Sequence, residues 1–137
     1  MTNLAFYING QWCEPVTSRQ SLPVINPATQ APCAQVWLAD TNDAGAAIDA
    51  AAQVFEAWSN TRLEQRIVMV EAFLKAYQRR YQVMASAITE EMGAPASMSY
   101  DMQAETGVGH TQAHLLAARQ SVLEHTMGEQ GQLLKEP

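Results

Sequence analysis

Residues 61–92, TRLEQRIVMVEAFLKAYQRRYQVMASAITEEM, decide the fold, because their apolar members recur at helical spacing. Leu63, Ile67, Val70, Leu74, Tyr77, Tyr81, Met84 and Ile88 fall in one stripe along one helical face. Thr61 is placed to cap the first turn, and Glu64 to reach back to the cap's own N–H, a capping box worth ~1 kcal/mol. Gly93 and Pro95 end the helix. Burying the stripe would contribute roughly 12–24 kcal/mol gross. Ordering the backbone costs about 1–2 kcal/mol per residue, so this helix must share its stripe with neighbouring elements. A run beyond about 25 residues is long for one globular helix, which predicts a bend or break near Arg79 and Arg80.

Upstream the period shortens. Phe6-Tyr7-Ile8 and Gln11-Trp12-Cys13 flank Asn9-Gly10, and a type I′ hairpin turn needs positive φ at both central residues. Val16 to Gln20 reads as loop, and Leu22 to Ile25 and Val36 to Leu38 as short strands. The Asn26-Pro27 step and Pro32 favour a turn between them. Residues 1–39 are therefore β-rich. From there Asp40, Thr41 or Asn42 caps a helix, with Asp43 in its positive first turn and Ile48, Ala51, Phe55 and Trp58 on its apolar face.

Downstream, Ser97 is expected to cap a third helix running to about Met127 and ended by Gly128. Met98, Met102, Val108, Leu115, Leu116 and Val122 are its apolar positions. Gly107 and Gly109 each cost ~1 kcal/mol in its middle, which predicts a close backbone contact or a break. In the tail, residues 129–137, Leu133 and Leu134 begin a strand. The expected class is α+β, short N-terminal β-hairpins followed by three long amphipathic helices. The chain is read as a single unit, 1–39 β-rich and 40–128 helical.

The 137 residues carry 8 basic and 14 acidic side chains, a net charge of −6, which argues against a nucleic-acid partner. Arg79-Arg80 reads as a solvated helix face. Met1-Thr2-Asn3-Leu4 lacks a basic stretch followed by an apolar core, and no uncharged apolar run approaches the ~20 residues that span a bilayer. The chain is therefore expected to be soluble and cytoplasmic, with no membrane partner. Cys13 and Cys33 fit neither a disulfide framework nor a zinc pattern and are expected as reduced thiols.

His110 and His114 lie four apart on the third helix, as a helical metal pair would, but Thr111 stands where the helical protease signature needs Glu. His125 lies three turns further on, too far to close that site. Gly107-Val108-Gly109 has no preceding strand to form a phosphate-binding turn. Cys13, beside Trp12 and just past a hairpin, has neither an activating base nor a helix N-terminus, so it reads as a structural thiol. Glu90-Glu91 is the only adjacent acidic pair. These residues alone assign no reaction.

Taken in order, a set of motifs resembles the amino-terminal part of the NAD(P)-dependent aldehyde dehydrogenases. They are Tyr7-Ile8-Asn9-Gly10-Gln11-Trp12, then Ile25-Asn26-Pro27-Ala28-Thr29, then Ala39-Asp40 with Asp43-Ala44, Ala47-Ile48-Asp49-Ala50-Ala51 and Phe55-Glu56-Ala57-Trp58. Arg66, Ile88-Thr89-Glu90-Glu91-Met92-Gly93-Ala94-Pro95 and Lys135-Glu136-Pro137 continue the likeness. Ala94 departs from the lysine of many members. The resemblance implies a fragment of an α/β fold. In the intact family a cysteine thiolate attacks the aldehyde, hydride passes to NAD or NADP, and a glutamate-activated water releases the acid.

The sequence contains none of the family's later features: the asparagine in a P-W-N context, the G-x-T-G-x cofactor loop, the general-base glutamate and the nucleophilic cysteine. Gly10-Gln11-Trp12-Cys13 copies the G-Q-x-C around that nucleophile but matches the first hairpin in position. No residue is therefore assigned to catalysis or cofactor binding. The leading expectation is a truncated N-terminal portion of an aldehyde dehydrogenase, inactive alone, binding no cofactor by itself and meeting a small aldehyde only in the intact enzyme. The alternative is a stand-alone oligomeric interaction or scaffold protein derived from that segment, and a third reading is a small helical metal-binding protein resting on His110 and His114. The resemblance also implies a monovalent cation held by the Val24 and Ile25 carbonyls and Glu91. A helix face normally hidden by later sequence would be left apolar, and a homo-oligomer is expected to cover it.

Overall fold

The computed structural model describes residues 3–17, 20–121, 124–127 and 132–135. The expected helix end at Gly128 and apolar position at Val122 lie outside them. Among the described residues, five short strands are followed by five α-helices and then by two more strands. β2 (Phe6–Ile8) and β3 (Gln11–Cys13) pair antiparallel through the expected turn, where Asn9 and Gly10 have φ of 52° and 75°. Tyr7 stands opposite Trp12, their rings edge to face at 5.0 Å.

A second sheet has the order β1-β5-β4, from Asn3–Leu4, Pro32–Trp37 and Ser21–Ile25. β5 starts at Pro32, inside the expected turn, and Leu38 lies past its end; proline is tolerated as the first residue of a strand. β1, parallel to β5, has no counterpart in the sequence reading. The Asn26 side chain accepts from the N–H groups of Ala28 and Thr29 at 2.9 and 3.3 Å, so the turn after β4 is built by its own asparagine. Leu38 N–H donates to the Gln20 carbonyl at 2.8 Å, making that pair hydrogen-bonded. Antiparallel pairs alternate, so Pro23, opposite Gln35, falls in a non-hydrogen-bonded pair with its nitrogen on the outer side of β4.

α1 (Thr41–Ser59) is capped by Asp40, which accepts from the N–H groups of Asn42 and Asp43, while the Asp43 carboxylate accepts from Asp40 N–H. The stripe of residues 61–92 is broken where its length required, into α2 (Leu63–Arg79) and α3 (Tyr81–Met92), with Arg80 at φ −107°, ψ 11°. Thr61 is not the cap. Arg62 occupies that position and Gln65, not Glu64, reaches back to its N–H at 3.1 Å. Thr61 instead donates to the Trp58 carbonyl at 2.6 Å and accepts from Arg66 Nε at 2.9 Å, because the chain must turn from α1 into α2 there. Gly93, at φ 69°, ends α3 in the left-handed conformation.

The third helix departs most from expectation. Ser97 lies within α4 (Ala96–Met98), whose N-cap is Pro95 without a side-chain cap bond. Residues Ser99–Ala104 then widen into a π-helical turn before α5 (Glu105–Gln120). Neither glycine breaks α5: Gly109 faces open space and Gly107 takes the close contact, against Tyr77. The helix ends at Gln120, short of Met127, and Ser121 is extended. Glu124–Met127 forms β6 instead, antiparallel to β7 (Gln132–Lys135), since pairing with the strand begun by the tail outweighs weak helical propensity.

Leu74, Val108 and Leu115 form the core seam between α2 and α5, with Ile67, Val70, Tyr77 and Tyr81 half-buried around it. Tyr77 donates to the Ala104 carbonyl at 2.8 Å and Tyr81 to that of Tyr100, so two phenols from the facing helices use spare carbonyl lone pairs of the widened turn. Beyond this seam the surface is open. The chain exposes 10506 Å², where a folded monomer of 15.0 kDa exposes roughly 7,000 Å². The apolar face of α1 contributes to this excess: Ile48 and Phe55 are each 67% exposed.

Candidate functional site

Four places bring polar or reactive groups together. At the first, the Asn26-Pro27 turn packs on the end of α3 so closely that a Cβ on Gly93 would fall 2.5 Å from Pro27 Cγ. Cys33 Sγ lies 3.4 Å from the Val24 carbonyl oxygen and 3.9 Å from that of Glu90. One thiol thus links the end of β4 to the last turn of α3, the two segments carrying Val24, Ile25 and Glu91. The strand pairing is irregular between Val24 and Ile25, and Glu91 is exposed.

The second place is the corner between α1 and α2. Arg66 donates to the carbonyls of Trp58 and Ser59 at 3.2 and 3.0 Å, and its guanidinium lies 5.4 Å from the centre of the Trp58 ring. A planar cation with five donors can do all of this at once, while lysine cannot. The third place is Asp43, only 3% exposed, whose carboxylate also accepts from Val16 N–H at 2.9 Å. Read from sequence as a helix-dipole residue, Asp43 also clasps the loop after β3 to α1. The capping bond from Asp40 is local, but the donor at Val16 lies 27 positions away and leaves no periodic signal.

The fourth is the tyrosine cluster on the π-helical turn. Tyr81 stacks edge to face on Tyr77 and Tyr100, with centroids 6.4 and 4.8 Å away. Loss of water, then the neighbouring Glu105 carboxylate, holds the Tyr81 phenol above its usual pKa, so it stays a donor. None of these places pairs a nucleophile with a base. Cys13 Sγ faces the Phe6 carbonyl at 3.7 Å, and His114 Nδ1 lies 2.7 Å from the His110 carbonyl in its own helix. No three His, Cys, Asp or Glu side chains among the described residues converge as metal ligands would. No helix among them is long and apolar enough to cross a membrane.

What the described surface offers is apolar area for contact. Phe55 and Trp58 on α1, and Val68, Met69 and Phe73 on α2, are all exposed.

Comparison with known proteins gives this geometry a context. The profile of the aldehyde dehydrogenase family matches residues 12–137. A 3-succinoylsemialdehyde-pyridine dehydrogenase of a Pseudomonas species is 36% identical over 124 residues, 90% of this chain and 26% of that protein. The crystal structure of an aldehyde dehydrogenase from Bartonella henselae superposes with a TM-score of 0.90 at 37% identity, covering 94% of this chain and 27% of that one. A Pseudomonas syringae aldehyde dehydrogenase C variant, solved with NAD+ and octanal, gives a TM-score of 0.87 at 30% identity, covering 91% and 26%. The chain thus spans about a quarter of the length of the relatives it matches.

Proposed function

Because the chain belongs to the aldehyde dehydrogenase family, we propose that it serves as the N-terminal portion of an NAD(P)-dependent aldehyde dehydrogenase and neither oxidises aldehydes nor binds the cofactor tightly alone. Its part in the reaction aldehyde to carboxylic acid is architectural: a small sheet and a helical layer offered to the remainder of the enzyme. The observation that carries this reading is the unburied surface. A chain that exposes 10506 Å² where roughly 7,000 Å² is usual has a core completed by something else. The relative solved with NAD+ and octanal supports a nicotinamide cofactor in the whole enzyme.

Three further features belong to this proposal: a cytoplasmic location, a homo-oligomeric state, and a monovalent cation at the Val24 and Ile25 carbonyls and Glu91. Two carbonyls and one exposed carboxylate are fewer than the roughly six oxygens a hard cation takes, so the cation would need oxygens from elsewhere. Melting temperatures unchanged between sodium, potassium and choline buffers would count against it.

The function is tested by incubating the purified chain with NAD+ or NADP+ and a panel of aldehydes. No reduced cofactor and no calorimetric NAD+ binding are expected. Turnover abolished by Cys13→Ser would overturn the proposal.

A further inference from the structure

α4, the π-helical turn and α5 follow one another without a gap from Ala96 to Gln120. The deepest residues of this run are Ser99 and Ala104, both 0% exposed, then Val108 and Leu115, both 6%. The steps from Ala104 to Val108 and on to Leu115 suit one face of an α-helix. The step from Ser99 to Ala104 does not, because five residues of α-helix turn about 500° and end about 140° off the starting face. The widened turn, with its longer period, brings the two back to one side.

Within that turn Ser99 Oγ and Gln103 Oε1 are buried with no hydrogen-bond partner among the described residues. Thr106 and Thr111, further along, donate to the carbonyls four residues back at 2.9 and 2.7 Å. The Ser99 hydroxyl does not; only its N–H uses the Pro95 carbonyl, at 2.9 Å. The Tyr100 and Ala104 carbonyls already accept from Tyr81 and Tyr77. Leaving a buried donor and a buried acceptor unpaired is costly, and such groups are normally met by protein or by ordered water.

We infer that one internal water molecule is bound in this turn, accepting from the Ser99 hydroxyl and donating to Gln103 Oε1, and that it holds the turn wide enough for the five-residue step. Water fits the pair because it both donates and accepts, whereas a hard cation would find two oxygens where it takes roughly six. Room lies alongside: a cavity of about 190 Å³ between α3 and this helix is lined by Ala85, by Ala96 one turn before Ser99, and by Tyr100 next to it. α3 packs along the turn and Ser99 is fully enclosed, so no other segment could supply the bond without parting the two helices. The site belongs to the interior of this chain, whatever adjoins it in a whole enzyme.

A high-resolution crystal structure of the chain should show one water within hydrogen-bond reach of both atoms. In solution, magnetic relaxation dispersion of water should count one long-lived molecule fewer in Ser99→Ala and in Gln103→Met than in the wild type. Ser86→Ala, at an exposed serine on the same cavity, should change nothing. Urea midpoints supply a sign. With water bound, Ser99→Ala strips it of a partner and the midpoint falls. With an unpaired hydroxyl, the same variant removes a buried polar group and adds a better helix former, so the midpoint rises and the proposal is overturned. Ser99→Ala combined with Gln103→Met should lose less than the two single losses added together, because both partners act through one molecule; additive losses count against it. If Ser99→Ala does not fold, the wild-type map and the Gln103→Met count decide. A map with Ser99 bonded to the Pro95 carbonyl, or with an ion in place of water, also overturns the inference.

Discussion

The backbone of Gly107 lies against the ring of Tyr77: a Cβ there would fall 2.7 Å from both Cζ and Oη. Tyr77 cannot easily yield, because its hydroxyl is held by the Ala104 carbonyl at 2.8 Å. Gly107→Ala is therefore expected to lose stability by about 1–2 kcal/mol, overpacking of about 1–3 kcal/mol outweighing the ~1 kcal/mol gain in helix propensity. Gly109, with nothing within 4 Å, provides the opposite sign: Gly109→Ala should gain about 0.5–1 kcal/mol. Urea denaturation of both variants checks the pair.

Gly93 combines a positive φ of 69° with the 2.5 Å approach to Pro27 Cγ. Gly93→Ala is expected to cost about 2–3 kcal/mol through backbone strain and displacement of the turn. Thermal unfolding should show the loss, and Pro27→Ala in the same chain should recover part of it by freeing space.

Asp43→Ala removes a buried carboxylate and leaves the N–H groups of Val16 and Asp40 without their acceptor. A loss of about 2–3 kcal/mol is expected, smaller for Asp43→Asn, which keeps one acceptor oxygen. Equal losses in the two variants, measured by chemical denaturation, would mean that the charge rather than the geometry is what matters.

Tyr81 gives the fold an alkaline limit. Its folded pKa lies above the usual phenol value of about 10, so between the unfolded and folded values the unfolded chain holds fewer protons. Stability is then fully present below about pH 10 and falls as pH rises through the folded value. Tyr81→Phe should flatten this decline while lowering stability at neutral pH, because it removes the bond to the Tyr100 carbonyl. Unfolding curves between pH 8 and 11.5 test both effects.

The features legible in the sequence are those written in local order. Asn9-Gly10 can adopt two positive φ angles and so announces its hairpin. The stripe from Leu63 to Ile88 announces α2 and α3, and its length alone announces the break at Arg80. The π-helical turn over Ser99–Ala104 was not legible, since the Tyr77 and Tyr81 hydroxyls that seat it come from other helices. For the same reason Thr61 was misread: its hydroxyl has a better partner in Arg66 than in its own helix. β6 read as helix because its reason for being a strand is a partner beyond it. At the candidate site, Arg66 and the family motifs could be quoted from the sequence, but the clasp of Asp43 on Val16 spans 27 positions and has no local trace.

Pro23 has a consequence for handling the protein. β4 is an edge strand, and an edge normally offers a row of free N–H and C=O groups on which another chain can polymerise. With its nitrogen turned outward and bearing no hydrogen, Pro23 removes a donor from the middle of that row, so an incoming strand cannot complete its ladder there. The small sheet is thereby protected from fibril-like stacking along β4 even while the chain's helices stand uncovered, which favours recovery of the chain as discrete particles rather than as precipitate.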